Sequence, residues 1–156
     1  MIRYIGDGTP WSSERSRRFV ERQIELFEQR RYCLWQLRPK SGGALIGFCG
    51  LQPLPETDEI EVGWWLMRDC WGRGLATEAA RMALRDGFER VGLQRIVAIV
   101  QPANAASIGI MRKLGMRCEG AVARASACRG ELQFAVLSSQ IKHPAEFQPG
   151  AKPSWP

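Results

Sequence analysis

The run at residues 71–79, Trp-Gly-Arg-Gly-Leu-Ala-Thr-Glu-Ala, constrains this chain more than any other feature. It follows the apolar stretch 60–67, which predicts a strand, and it opens a long amphipathic segment, which predicts a helix. Glycines let the backbone approach a ligand closely, and the first N–H groups of a helix have no partner within it. The helix dipole and Arg73 add positive charge at the same place. The order strand, glycine-rich turn, helix therefore predicts a site for a phosphate group.

Composition and length favour one soluble domain. The chain has 156 residues, of which 45% are hydrophobic and 24% charged. No apolar run approaches the roughly 18 residues of a membrane span, and the N-terminus has no signal-peptide pattern, so we expect a cytoplasmic protein. The five cysteines are scattered, which favours reduced thiols over disulfides or zinc ligands. Cys49 lies in an apolar stretch and is expected to be a small core residue.

The net charge of +6 is compatible with several kinds of binding partner. A basic surface can aid solubility, or it can attract an anionic cofactor, an acidic peptide or RNA. Many of the arginines lie within residues 15–31, where glutamates are interspersed among them. That mixture is typical of a salt-bridged helix face, so nucleic-acid binding is not favoured.

Periodicity predicts a series of alternating elements. Ser12 or Ser13 can cap a first helix that ends near Arg31, with Val20, Ile24 and Phe27 on one face. A hairpin follows, with its turn at residues 40–43. The predicted strands are 32–38, 44–51, 59–67, 94–100, 116–125 and 131–140, and the further helices are 74–91 and 104–114. This order predicts an α/β domain (an α+β mixed sheet) over residues 1–142, followed by an irregular, proline-rich tail at 143–156.

Five ordered segments resemble one known family. They are ALIGFCGL at 44–51, EIEVGWWL at 59–66, the 71–79 run, NAAS at 104–107 and MRKLGM at 111–116. In order and spacing these segments resemble the GNAT superfamily of acetyl-CoA-dependent N-acetyltransferases. Within that superfamily the chain looks like the Rim-type branch, whose named members acetylate the N-termini of ribosomal proteins.

The resemblance implies a splayed sheet and a set of cofactor contacts. In the family two neighbouring strands, here 59–67 and 94–100, separate, and the pantetheine arm of acetyl-CoA lies between them. The diphosphate is expected on the backbone of the glycine-rich turn. The implied cofactor-binding residues are Trp65, Leu66, Met67, Trp71, Gly72, Arg73, Gly74, Leu75, Ala76, Thr77, Asn104 and Ser107. One position departs from the family pattern, because Asp69 stands where Gln or Arg usually begins the motif.

The same resemblance suggests catalytic residues. Glu61 matches a glutamate of Rim-type enzymes and is the first candidate for the base that deprotonates the attacking amine, with Glu59 as the alternative. Each could instead be an exposed carboxylate or the partner of an arginine. Met111 stands where many members carry a tyrosine acid, so Ser107 is the candidate to contact or protonate the leaving thiolate, unless it only helps to cap the helix.

Two expectations concern the rest of the protein. Rim-type proteins begin with a strand and a helix that this sequence is expected to lack, about 25–30 residues by the usual size of such elements. An open sheet edge there would favour a homodimer. The predicted function is N-acetyl transfer to a primary amine, either a peptide N-terminus or a small molecule. The alternative is a non-catalytic acyl-CoA-binding or interaction module.

Overall fold

The computed structural model describes residues 11–122 and 130–140. Its helices are α1 (Ser13–Arg30), α2 (Leu75–Asp86) and α3 (Ala105–Lys113). Its strands are β1 (Leu34–Leu37), β2 (Gly47–Pro53), β3 (Ile60–Leu66), β4 (Arg95–Val100), β5 (Arg117–Ala121) and β6 (Leu132–Leu137). The predicted order of elements is confirmed across this part of the chain. The proposed tail at 143–156, and residues 123–125 of the predicted strand 116–125, lie outside the described residues.

All six strands form one mixed sheet in the order β1-β2-β3-β4-β6-β5. Among the strands of the described residues, only β3 and β4 run parallel to each other, and every other neighbouring pair is antiparallel. The parallel pair is joined through α2, as the length of a crossover connection requires. The predicted α/β class is therefore confirmed, and the crossover puts the start of α2 directly after the end of β3.

The main hydrophobic core lies between the sheet and the helices α2 and α3. The side chains of α2 that are buried there are small, since Ala79, Ala80 and Ala83 stand beside Leu84 on the face that meets the sheet. Small residues let the helix approach Leu51 and the neighbouring strand residues closely. Cys49 is also in this core, as expected, and burial raises the pKa of its thiol to about 12.

Helix α1 covers the opposite face of the sheet. Ser12 caps it by accepting a hydrogen bond from the Arg15 N–H, at 3.1 Å. The ring of Phe19 meets Phe48 at 5.7 Å and Trp65 at 6.5 Å between centroids. The side-chain oxygen of Gln23 accepts the Leu34 N–H at 2.9 Å, which satisfies a buried backbone donor.

The apolar face expected for α1 does not meet the sheet. Val20, Ile24 and Phe27 do share a face, but they are 49%, 55% and 36% exposed. The face that packs on the sheet is about 100° away around the helix and carries Phe19, Gln23 and Leu26. Periodicity alone could not separate these two faces, because both repeat at helical spacing.

Two further differences from the sequence prediction are local. The predicted second helix, 74–91, is α-helical only to Asp86 and continues as a π-helical turn at Gly87–Val91, ended by Gly92. The predicted strand at 131–140 ends at Leu137 and gives way to a short 3₁₀ turn at Ser138–Gln140. Across the described residues, every helix is too short or too polar to cross a membrane.

Candidate functional site

Strands β3 and β4 are joined at one end only. Their ladder contains a single register pair, Glu61 with Val97, whereas β3 pairs with β2 at every residue of its length. Beyond Glu61 the two strands continue toward Leu66 and Val100 without pairing with each other. We call the Glu61–Val97 contact and its surroundings the closed end of this pair, and the region between Leu66 and Val100 the open end. The predicted splay is confirmed.

The backbone of β3 offers hydrogen-bonding groups to the open end. The Met67 N–H bonds the Ile46 carbonyl at 2.8 Å, and the Glu59 carbonyl accepts from Leu54 at 2.9 Å. Odd-numbered residues of β3 therefore direct their backbone groups toward β2. Because the direction alternates along a strand, Trp64 and Leu66 direct theirs toward β4, where the ladder has ended. A ligand with amide groups could bind here.

These directions refine the predicted contacts. The backbone of Trp65 is turned toward β2, and its ring packs on Phe19. The Met67 N–H is already used by Ile46, although the Met67 side chain is 44% exposed. Trp64, which sequence reasoning did not include, has the better placed backbone. The alternation of strand directions could have identified it if the hairpin register had been known.

The N-terminus of α2 lies at the open end, as predicted. Gly74 is its N-cap with φ of 78° and contributes no side-chain cap, and Gly72 has φ of 73°. Both values are in the left-handed region that favours glycine. A Cβ added at either glycine would meet nothing within 4 Å, so the surface in front of the turn is open. Arg73 between them is exposed, so the turn presents N–H groups and a cation to solvent.

Trp71 connects the end of β3 to this turn. Its indole N–H donates to the Leu66 carbonyl at 2.9 Å, while the ring remains 52% exposed. The hydrogen bond fixes the path of the chain between the strand and the glycines, and the exposed ring provides an apolar surface beside them. Trp71 therefore has a structural role that the sequence did not reveal.

The N-terminus of α3 follows the end of β4 and so belongs to the same edge of the sheet. Asn104 caps it, with its side-chain oxygen accepting the Ser107 N–H at 3.1 Å. Asn104 therefore caps the helix, which is the structural alternative to a cofactor contact for Asn104 and Ser107. The cap uses only the backbone N–H of Ser107, a half-buried residue whose hydroxyl has no part in the cap.

Neither tyrosine supplies the family's usual acid within the described residues. Met111, at that position, is 1% exposed and belongs to the main core. Tyr32 is 4% exposed in the same core, and burial raises the pKa of its hydroxyl. Tyr4 lies outside the described residues.

Glu61 lies at the closed end. It is half-buried, and one of its carboxylate oxygens accepts a hydrogen bond from the Gln52 side-chain amide at 3.1 Å. Gln52 stands directly opposite on β2. Glu61 is about 17 Å along the strand from Leu66, by the rise of an extended chain. The predicted site residues therefore form two groups, one at the open end and Glu61 at the closed end.

Glu59 is the partner of an arginine. Arg95 donates to both of its carboxylate oxygens, at 2.9 and 3.1 Å, and also to Glu119 at 2.7 and 2.5 Å. These hydrogen bonds lower the pKa of Glu119 and raise that of Arg95. This cluster ties the start of β4 to the residues before β3 and to β5, which is a structural role. Of the two carboxylates considered for the base, Glu59 is the less available.

Comparison with known proteins adds three findings. An acetyltransferase (GNAT) domain model matches residues 1–117. The uncharacterized N-acetyltransferase p20 of Bacillus licheniformis is 33% identical over 104 residues, 66% of this chain and 58% of that protein. Spermidine N(1)-acetyltransferase of Escherichia coli K12 is 35% identical over 72 residues, 46% of this chain and 39% of that protein.

A solved structure has the same fold. RimJ of Mycobacterium smegmatis, in complex with CoA-disulfide, superposes with a TM-score of 0.74 at 21% identity, over 90% of this chain and 72% of that one. This superposition confirms the fold that the resemblance implies. The chain spans about half the length of the curated relatives that it matches, 49% and 58% of the first two.

Proposed function

The chain belongs to the GNAT acetyltransferase family, and we propose that it transfers the acetyl group of acetyl-CoA to a primary amine. The observation that carries this proposal is the opening between β3 and β4, with the N-terminus of α2 at its mouth. Acetyl-CoA, the cofactor of this family, has a diphosphate and an arm with two amide groups. The open end offers helix N–H groups for the first and strand backbone groups for the second.

The proposed cofactor contacts follow from this match. The diphosphate is held by the backbone of residues 72–76, with Arg73 adding charge and the Thr77 hydroxyl a further donor. The arm lies along β3, bonded by the backbone of Trp64 and the N–H of Leu66, since the Leu66 carbonyl already accepts from the Trp71 indole. The Met67 and Trp71 side chains lie beside it. Asn104 and Ser107 form the other wall. The space in front of Gly72 and Gly74 supports this arrangement, because an ordinary side chain there would obstruct the approach.

Acetyl-CoA supplies an activated thioester, which a neutral amine can attack directly. We assign to Glu61 the removal of a proton from the amine, directly or through water. Its position supports this, since β3 and β4 converge there and Gln52 holds one carboxylate oxygen. The Ser107 hydroxyl is assigned a hydrogen bond to the leaving sulfur, because a serine is too weak an acid to be expected to protonate it.

We propose the amine that receives the acetyl group only by its chemical class. A peptide α-amine has a pKa of about 7.7–8.0 and needs little deprotonation near neutral pH, whereas a lysine-like amine at about 10.4 needs more. The relative named as a spermidine acetyltransferase supports a small amine, and the Rim-type fold is compatible with a peptide N-terminus. The scattered cysteines support a reaction in the cytoplasm.

One observation favours a second function, a module that binds acyl-CoA without catalysis. Met111 occupies the position of the usual acid and is buried in the core, and Asn104 is engaged in capping. Under this reading the open end binds the cofactor and the closed end is purely structural.

The deciding experiment is release of free CoA from acetyl-CoA in the presence of peptides and small amines. We expect turnover with at least one acceptor, and a loss of about 100-fold in Glu61→Gln, the low end of typical general-base effects. Glu59→Gln is the matched control and should keep its turnover while losing stability. A protein that binds acetyl-CoA but releases no CoA with any acceptor would support the binding module instead.

Ser107→Ala separates the two roles of the α3 terminus. The substitution removes the hydroxyl but keeps the N–H that Asn104 accepts, so thermal stability should not change. A fall in turnover at constant stability would support a contact with the sulfur. Unchanged turnover would remove Ser107 from the proposed site.

A further inference from the structure

Two carboxylates near the start of β3 lie on the same side of the sheet and receive different kinds of hydrogen-bond donor. Glu59 accepts from the guanidinium of Arg95, which donates to both of its oxygens at 2.9 and 3.1 Å. Glu61, two residues further along, accepts from the neutral side-chain amide of Gln52 at 3.1 Å. A cation stabilises a carboxylate through its charge as well as through hydrogen bonding, whereas a neutral amide acts through the hydrogen bond alone.

Gln52 is placed by the register of the β2–β3 hairpin. It stands directly opposite Glu61, so the two side chains lie side by side on one face of neighbouring strands. On β4 the register partner of Glu61 is Val97, which is fully buried and apolar. Of these two neighbours, only Gln52 has a hydrogen-bond donor in its side chain. Its amide is therefore the group through which the paired strands can orient the carboxylate.

Few charged groups surround Glu61 on the strands that pack around it. Within β2, β3 and β4 the one other charged residue is Arg95, and Glu59 directly precedes β3. Arg95 forms ion pairs with Glu59 and with a second carboxylate, so its charge is compensated. Helix α1 meets this face at Trp65, four residues further along β3. A change at Gln52 therefore alters one contact of Glu61 and leaves the surrounding charges as they are.

We propose that Gln52 is a positioning residue for Glu61, whose amide fixes the orientation of the carboxylate and favours its ionised form. Both side chains are half-buried, so a donor there replaces hydrogen bonds that water would otherwise supply. An ionised carboxylate held in one orientation is what the removal of a proton from an amine requires. The use of Glu61 as the base rests on the proposed function, whereas the effect of Gln52 on the Glu61 carboxylate does not.

The test measures the pKa of Glu61 directly, by carbon NMR of its carboxyl group in the whole chain, with Glu61→Gln to assign the signal. Gln52→Met keeps a long, unbranched side chain but removes the donor. It should raise the pKa of Glu61 by about one, because the ionised form loses a hydrogen bond. Gln52→Lys replaces the amide with a cation and should lower the pKa by about one. The expected order, from lowest to highest, is therefore lysine, glutamine, methionine.

Gln133→Met is the matched control. The Gln133 amide donates the same kind of bond, also at 3.1 Å, to the carboxylate of Glu119. Its loss should leave both the pKa of Glu61 and the turnover unchanged. Equal pKa values of Glu61 in the wild-type chain and in Gln52→Met would overturn the proposal, and so would an equal rise in Gln133→Met.

Turnover with saturating acetyl-CoA and amine separates positioning from a purely structural pair. Gln52→Met should lower kcat about tenfold, because a displaced base is a poor one, while the KM for acetyl-CoA changes less than about twofold. The expected pKa order with an unchanged kcat would show that Gln52 does not position the base. If the wild-type chain releases no CoA with any amine, the proposed function fails, and the pKa order alone decides whether Gln52 holds Glu61.

Discussion

The two ends of the β3–β4 pair are built by different means. The closed end is held by side chains, with Gln52 on Glu61 and with Arg95 between Glu59 and Glu119. The open end is made of backbone, with two glycines at positive φ and a helix N-terminus without a side-chain cap. Side-chain bonds fix the strands relative to each other, whereas exposed backbone is available to a ligand. We infer that the open end provides binding, whereas the closed end holds the strands in place and positions Glu61.

The sharpest test of this difference is a pair of matched glycine substitutions. Gly74 at the open end and Gly92 at the end of the π-helical turn have φ of 78° and 81°, and neither has a neighbour within 4 Å of an added Cβ. Alanine at either position should cost about 1 kcal/mol of stability, because a Cβ strains a left-handed residue. Only Gly74→Ala should also weaken acetyl-CoA binding, by about tenfold or more, as titration calorimetry would measure. Equal affinities in the two variants would mean that the turn at Gly74 is not a binding surface.

The next largest effect is expected at the closed end. Arg95→Met removes a cation that holds two carboxylates, and it should lower the free energy of unfolding by about 1 kcal/mol. The loss is smaller than for a fully buried ion pair because Arg95 is partly exposed. Acetyl-CoA affinity should stay within a factor of about two, an energy below that of a single hydrogen bond. Chemical denaturation and calorimetry would check both. A large loss of affinity would show that the two ends are not separate.

The same cluster predicts a pH dependence. Because Arg95 lowers the pKa of Glu119 in the folded state, this stabilisation is complete above the ordinary value of 4.5 and is lost as the pH falls through the lower folded value. Wild-type stability should therefore fall more steeply than that of Arg95→Met on acidification below about pH 4.5. Parallel stability curves in this range would contradict the assignment.

The smallest effect is expected at Trp71. Trp71→Phe keeps an aromatic ring but removes the donor to the Leu66 carbonyl. One hydrogen bond of this kind contributes about 1 kcal/mol at most, so acetyl-CoA affinity should fall only about threefold through a looser turn. Leucine at the same position should cost more, because the aromatic surface is lost too. Identical affinity in all three proteins would leave the bond without a role in binding.

The open end was predictable and the closed end was not, for a physical reason. Gly72, Arg73, Gly74 and the first turn of α2 are consecutive, so their geometry follows from local rules. The contacts of Arg95 join residues that are 36 and 24 positions apart. The pairing of Gln52 with Glu61 depends on hairpin register, and nothing in the local sequence specifies either contact.

The first helix shows the same limit. Its bounds and a serine cap at position 12 or 13 follow from local signals, and the structure confirms them with Ser12 as the cap. Which face meets the sheet depends on Phe48, Trp65 and Leu34, which lie on other elements. The polar residue Gln23 is buried because a strand N–H needs a partner, while Ile24 beside it stays exposed. Hydrophobicity alone would predict a buried Ile24 and an exposed Gln23.

The central claim is that the open end binds acetyl-CoA, and a thermal unfolding titration tests it most directly. At a concentration 100 times the dissociation constant, a ligand that binds only the folded state adds about 2.7 kcal/mol of stability. We predict that acetyl-CoA raises the melting temperature of the wild-type chain and of Gly92→Ala, and raises that of Gly74→Ala much less at the same concentration. A melting temperature that acetyl-CoA leaves unchanged in the wild-type chain would contradict the account.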